Sequence, residues 1–174
     1  MRPHVARRSL AWLCIVGWGW VGGILSGCHS TARFAHLEAK PSQSEASERE
    51  PRLFEERLWR EIERWLGIPY CRSGIGTECV DCSGFVQQVY KALGVSLPRT
   101  SAEQSKVGQI VSGEPLPGDL VIAAHNLQVR HIGIYLGNGR VVHASRSRGV
   151  VIDPLSVFSS IAPDISFRRV IATR

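Results

Sequence analysis

No stripe of basic residues interleaved with aromatics runs through this chain, so it lacks the electrostatic footprint of a nucleic-acid binder. There is no internal repeat, which excludes solenoids and propellers. The formal charge of +6 is modest, and three of its positive charges, Arg2, Arg7 and Arg8, lie in the first eight residues. One apolar run stands out, from Leu10 to Leu25, and it is short and glycine-rich for a stable membrane span. What remains is 174 residues with 44% hydrophobic content, enough for one domain with a real core once non-folding segments are removed.

The N-terminus has the three parts of an export signal: a basic start, an apolar core and the small-residue ending Leu25-Ser26-Gly27-Cys28. That ending resembles the lipobox of bacterial lipoproteins, in which the cysteine becomes the lipidated first residue of the mature chain. The expectation is a signal over 1–27 with lipidation at Cys28; the alternative is an uncleaved membrane helix. Several acyl chains make such an anchor stable. His29 follows the cysteine, where aspartate would resemble an inner-membrane retention signal, so the expected location is the outer membrane, facing the periplasm, in a Gram-negative organism. Residues 28–52 read as a polar tether without periodicity.

The folded domain is expected over 53–174. Phe54, Leu58, Ile62, Trp65 and Leu66 recur at helical spacing, and Gly67 and Pro69 supply the stop. Asp81 is a good N-cap for a second helix with the apolar stripe Phe85, Val86, Val89, Tyr90 and Leu93, ended by Gly94. Thr100 and Glu103 have capping-box spacing for a short third helix. Strands follow at 109–111, 119–123, 130–136, 140–144, 150–152 and 167–172. Helices first and strands afterwards make an α+β domain with a mostly antiparallel sheet.

Cys82 falls in the first turn of the second helix, where unpaired N–H groups favour thiolate, although the Asp81 carboxylate opposes this. A base is therefore needed. The hairpin around Gly137-Asn138-Gly139 offers two. A three-residue loop pairs Leu136 with Arg140, which puts His131 and His143 on one face, about 7–8 Å apart in backbone position. A two-residue loop would put them on opposite faces, and the alternation of Ile132, Ile134, Leu136, Val142 and Ala144 favours the first register. Cys82 as nucleophile, His131 as base and His143 as its orienting partner make a cysteine-hydrolase constellation. The Cys82 backbone N–H and the Tyr70 hydroxyl are candidate oxyanion donors. His125 has no partner in the pattern and reads as a loop residue.

The remaining cysteines leave alternatives open. Cys71 and Cys79 could form a disulfide bracing the loop before Asp81, or remain two thiols. Cys79-Val80-Asp81-Cys82 is formally a C-x-x-C pair; a zinc site from Cys71, Cys79, Cys82 and a histidine lacks a clear ligand framework. No metal or cofactor is expected.

Pro69-Tyr70, Asp81-Cys82-Ser83-Gly84-Phe85, Leu97-Pro98-Arg99-Thr100-Ser101, Gln104, Pro117-Gly118-Asp119-Leu120, His131 to Gly137 and His143-Ala144 together resemble the NlpC-type cysteine peptidases of bacterial cell walls. The resemblance covers nearly all of 53–174. It implies a papain-like fold, with helices packed on the sheet, and hydrolysis of amide bonds in peptidoglycan stem peptides or cross-links. It matches Cys82, His131, His143 and Tyr70 to the family's catalytic positions, and Asp81, Ser83 and Ser101 to residues that contact substrate in relatives that recognise stem peptides. The expected partners are peptidoglycan peptides and a membrane reached through Cys28. The family's glycine pair after the tyrosine is replaced by Ser73-Gly74-Ile75-Gly76, and the aromatic pair after Gly-Asp-Leu by Ile122-Ala123. A wall-binding scaffold on a retained fold, or an acyl or amide transferase, are the rival readings.

Overall fold

A computed structural model describes residues 43–171. The signal, Cys28 and most of the tether expected from the sequence lie outside these residues. No helix among the described residues is long and apolar enough to cross a membrane.

Helix α1 (Gln43–Trp65) begins ten residues before the expected domain start. Its first two turns are rich in Ser, Glu, Ala and Arg, and residues 47–50 are exposed, so local propensity rather than burial makes this part helical. Pro51 lies inside it. The second half buries Leu58, Ile62 and Trp65, while Leu66, read from spacing as part of the stripe, is exposed. Gly67 ends the helix at φ +81°, and its N–H donates to the Val150 carbonyl at 2.8 Å, tying the helix end to the sheet.

Helix α2 (Cys82–Ala92) is capped by Asp81, whose carboxylate accepts from the Gly84 N–H at 2.6 Å. Its buried face packs on α1, with Trp65 and Phe85 edge to face at 6.1 Å. The Tyr90 hydroxyl donates to the Gly118 carbonyl. Short α3 (Ser101–Gln104) carries the Thr100–Glu103 capping box.

Six strands follow: β1 (Gln109–Ile110), β2 (Leu120–His125), β3 (Gln128–Tyr135), β4 (Arg140–Ser145), β5 (Gly149–Pro154) and β6 (Asp164–Arg169). They form one antiparallel sheet in the order β1-β6-β2-β3-β4-β5. Between β5 and β6 lies α4 (Ser156–Ile161), which spacing did not suggest, being too short to show a helical period. β2 and β3 run on to a tight turn at Asn126–Leu127, so His125 ends a strand opposite Gln128 rather than sitting in a loop.

The β3–β4 hairpin takes the three-residue loop. Ile134 pairs with Val142 and Tyr135 with Val141, and the Leu136 N–H donates to the Arg140 carbonyl at 2.9 Å. Ladder pairing stops at Ile134–Val142, so the strands part before the two histidines are reached. One sheet face, with Ile132, Ile134, Val142 and Ala144, joins α1 and α2 in the larger core; the other, with Val121, Ala123, Tyr135 and Val141, packs on Phe158 and Ala162.

Candidate active site

The loop before α2 sets the position of Cys82. Cys71 and Cys79 are joined by a disulfide, which resolves the alternatives left open for these two residues, and Cys82 is the free cysteine among the described residues. The Gly74 carbonyl turns back onto the helix start, accepting from the Asp81 N–H at 3.1 Å and from Arg99 Nη2 at 3.3 Å. Gly84 lies against the same oxygen, where a Cβ would come within 2.2 Å of it.

Asp81 and Ser83 flank the thiol and are both held by Arg99. Its Nη1 donates to Asp81 Oδ1 and to Ser83 Oγ, each at 3.0 Å, and its Nη2 to Asp81 Oδ2 at 2.6 Å. Burial works to raise the Asp81 pKa, but the bonds from Arg99 and Gly84 outweigh it and hold the carboxyl below its ordinary range. Gln104 Nε2 donates to the Ser83 carbonyl at 2.9 Å and to that of Pro98 at 2.8 Å, fastening α3 to the start of α2.

Burial pushes the Cys82 thiol up, and the neighbouring Asp81 charge pushes the same way. Backbone N–H groups of Ser83, Ile132 and Cys82 itself pull down and are outweighed. The helix start therefore does not ionise this thiol. Ile132 belongs to β3, so its N–H brings the sulfur to the backbone of that strand, one residue along from His131.

His131 and His143 meet directly, Nε2 to Nδ1 at 2.8 Å, with rings edge to face at 4.9 Å. Both rings lie against Phe158, at 5.1 and 5.2 Å between centroids. Gly133 makes room, since a Cβ there would fall 2.8 Å from Phe158 Cζ. Burial, then the charges of His143 and Arg146, push His131 down to about 3, so it is neutral at pH 7. Burial lowers His143 too, against an opposing pull from Asp153.

Sequence reasoning missed Asp153. Its Oδ2 lies 3.0 Å from His143 Nε2, and Arg148 binds both of its oxygens. Arg148 holds Asp153 below the ordinary carboxylate range. A carboxylate only accepts, so His143 Nε2 carries hydrogen. Neutral His143 must then accept at Nδ1, and His131 must donate from Nε2. His131 Nδ1 is left with a lone pair. Asp153 thus fixes two tautomers in series and leaves His131 Nδ1 as the ring nitrogen free to accept a proton. The signal was present in the alternation of β5: Val151 pairs with His143 and Asp153 with Val141, so Asp153 shares a face with the histidine one strand away.

Two other expected site residues are less engaged. Tyr70 pairs with Val80 across the loop and packs against the larger core. Ser101 is the first residue of α3 and half-buried. Among the described residues no cluster of His, Cys, Asp and Glu has the arrangement of a metal site.

Comparison with known proteins gives the arrangement a context. The model of the NlpC/P60 family matches residues 67–164. The chain is 36% identical over 151 residues to a protein of Escherichia coli (strain K12) named murein DD-endopeptidase MepS/murein LD-carboxypeptidase, covering 78% of this chain and 80% of that one. Among solved structures it is similar to an NlpC/P60 family protein from Bacillus cereus, with TM-score 0.59 and 34% identity over 66% of this chain and 39% of that one. It is also similar to the peptidoglycan hydrolase RipB of Mycobacterium tuberculosis, with TM-score 0.58 and 25% identity over 76% of this chain and 73% of that one.

Proposed function

The chain belongs to the NlpC/P60 family, whose murein endopeptidases and peptidoglycan hydrolases are papain-like cysteine peptidases, and from that premise we propose that it hydrolyses amide bonds of peptidoglycan peptides through Cys82, His131 and His143. The observation that carries this reading is the hydrogen-bonded series from His131 through His143 to Asp153, which leaves His131 Nδ1 as the nitrogen free to accept a proton.

The resting pair is a neutral thiol and a neutral imidazole. Cys82 Sγ attacks the carbonyl carbon while its proton moves to His131 Nδ1, so ionisation accompanies bond formation. The imidazolium keeps its Nε2–H on His143 Nδ1, and the Asp153 charge stabilises it through the second ring. The oxyanion faces the Cys82 backbone N–H at the helix start, with the Tyr70 hydroxyl as second donor. His131 then gives the proton to the leaving nitrogen, the C–N bond breaks and a thioester remains. Water attacks the thioester, passing a proton to His131; the C–S bond breaks and the proton returns to sulfur. Asp81, Ser83 and Ser101 line the acyl side. Because Asp81 and Ser83 are already bound to Arg99, they meet substrate as a preset charged unit rather than as a lone carboxylate and hydroxyl.

The same proposal includes export and a lipid anchor on Cys28, with an outer-membrane position facing the periplasm where the organism has one. The Leu25-Ser26-Gly27-Cys28 sequence supports it, as does a disulfide that suits an oxidising compartment. Labelled palmitate should enter the wild type and not Cys28→Ala.

The decisive experiment is mass analysis of defined muropeptides after digestion with the wild type and with Cys82→Ala. New fragments should appear with the wild type alone. Equal products from both, or none from either, would end the hydrolase reading.

A further inference from the structure

Arg148 stands at the far end of the hydrogen-bonded series that begins at His131. Its guanidinium forks over Asp153, with Nη1 on Oδ1 at 3.0 Å and Nη2 on Oδ2, the oxygen that also accepts from His143. The series runs from two buried rings through a buried carboxylate to a side chain that is 52% exposed. The proposed reaction uses the first three members and leaves Arg148 without a part.

The end of α1 fixes the backbone beside Arg148. Gly149, the next residue, has φ +72° and lies against Ile68, where a Cβ would come within 2.3 Å of the carbonyl oxygen. The Val150 N–H donates to that same carbonyl at 2.9 Å, and the Val150 carbonyl accepts from the Gly67 N–H at 2.8 Å. Arg148 therefore leaves the chain at a set place in the β4–β5 turn, within reach of Asp153.

What the pairing does follows from the hydrogens on His143. An unpaired carboxylate against an imidazole favours the imidazolium. Imidazolium donates from both nitrogens. Its Nδ1–H would point at His131 Nε2 across the 2.8 Å contact, so His131 would have to accept there and carry its own hydrogen on Nδ1. No ring nitrogen would then be free to accept a proton. A positive charge already seated on Asp153 prevents this, and an arginine supplies that charge at every working pH. Burial, the largest influence, lowers His143; Asp153 pulls it up, and Arg148 pushes it down by less than Asp153 pulls.

Other charged or titratable groups approach the two rings from several elements. Cys82 comes from α2, and Asp81 beside it is already paired with Arg99. Arg146, from the same turn as Arg148, helps to depress His131. His125 and Arg130, at the end of the β2–β3 hairpin, line the cleft that both histidines wall. From α4 come Phe158, Val157 and Ile161, which do not titrate. Asp153 is thus the acid bonded to the pair, and Arg148 is the cation bonded to that acid.

We propose that Arg148 is a positioning residue for the reaction: it holds Asp153 as the acceptor for the His143 Nε2–H and offsets enough of the carboxylate charge that the ring keeps a single hydrogen, leaving His143 Nδ1 to accept from His131. The proposal rests on the assignment of His131 as base and deepens it, by placing control of that base on a surface side chain.

The test is the pH dependence of kcat/KM on a defined muropeptide, with Arg148→Gln and Arg148→Lys beside the wild type. Glutamine can still hydrogen-bond Asp153 but brings no charge. Its acid limb, which belongs to the histidine pair, should move up by at least about half a pH unit, so activity lost in mild acid returns as pH is raised. Lysine restores the charge without the fork, and its acid limb should lie within about 0.2 units of the wild type. A side chain that merely braces the turn would lower activity equally at every pH. Histidine-nitrogen NMR of the Cys82→Ala protein reads the same pair without turnover: adding Arg148→Gln should raise its first titration by a similar amount, with circular dichroism unchanged. An unmoved titration in Arg148→Gln, an activity loss equal at every pH, or a shift that lysine fails to reverse would overturn the proposal. A wild type that fails to cut muropeptides would instead undo the hydrolase reading and leave the NMR titrations to decide the role of Arg148.

Discussion

Replacing Asp153 with alanine should slow the enzyme without touching a group that contacts substrate in the proposed reaction. The carboxylate accepts the His143 Nε2–H at 3.0 Å, and His143 is only 2% exposed, so water does not readily take its place. An unsatisfied buried donor costs about 1–3 kcal/mol. His143 avoids that cost by moving its hydrogen to Nδ1, and Arg148, released from Asp153, can then donate to the bare Nε2. The hydrogen now on Nδ1 points at His131 Nε2 across a 2.8 Å contact, so His131 must accept there and carry its own proton on Nδ1. In the proposed reaction that is the nitrogen that receives the thiol proton. A bias of 1–3 kcal/mol toward the wrong tautomer corresponds to roughly five- to 150-fold less active enzyme, felt in kcat with little change in KM. Asp153→Asn should lose less than alanine but not nothing, because Arg148 donates to both oxygens and one of them becomes an NH2, so only the orientation with the amide oxygen toward His143 keeps the tautomer. Steady-state kinetics on a defined muropeptide, with histidine-nitrogen NMR to read the tautomers, would test both variants. Alanine activity within about twofold of wild type, or unchanged tautomers, would refute the series.

Further outcomes follow from the same geometry. Gly133→Ala places a methyl 2.7 Å from the Val142 carbonyl and 2.8 Å from Phe158, so melting should show a loss of about 1–3 kcal/mol and activity should fall as the histidine rings shift. Asp81→Asn keeps the helix cap but removes a charge that opposes the thiolate while freeing Arg99 beside it, so iodoacetamide should modify Cys82 faster at neutral pH; an unchanged rate would count against this electrostatic account. Both histidines titrate lower in the folded chain than in the unfolded one, so the unfolded state takes up protons first. Their contribution to stability is complete above the unfolded value of 6.5 and is lost as pH falls below it, for His131 down to about 3 with a slope of up to ~1.4 kcal/mol per pH unit; denaturant titration should show a shallower slope in His131→Gln. Serines at Cys71 and Cys79 should cost about 2–3 kcal/mol, the loop-closure value for so short a loop, and a chemical melt unchanged from wild type would contradict this.

The parts of the fold that were legible in the sequence are those set by strong local rules. Asp81 and Thr100 announce their helices by capping chemistry, and the apolar alternation of β3 and β4 chooses the hairpin loop that puts His131 and His143 on one face. The family resemblance then agrees with the observed architecture and with the matched relatives. Interactions that join distant segments were harder to read. Asp153 acts from the neighbouring strand, and Arg99 acts on Asp81 from eighteen residues away. The short α4 has no period to detect, and its significance lies in Phe158, which matters only once the sheet brings it under two rings. The start of α1 was missed for the opposite reason: it has helical propensity but no buried face to reveal it. For Cys71 and Cys79, spacing allowed more than one chemistry, and the folded loop resolves it.

The division of the apolar interior has its own consequence for how the molecule ages and warms. Cys82 is carried by a helix anchored in the larger core, while the rings of His131 and His143 rest on Phe158 in a separate cluster on the other side of the sheet. The proposed nucleophile and base therefore belong to neighbourhoods of unequal size. Loosening of α4 alone would free both imidazoles from Phe158 while the main body stayed folded, so activity should be lost under milder heating than unfolds the larger core. A six-residue helix that carries none of the proposed reacting groups thus supports the rings on which they depend.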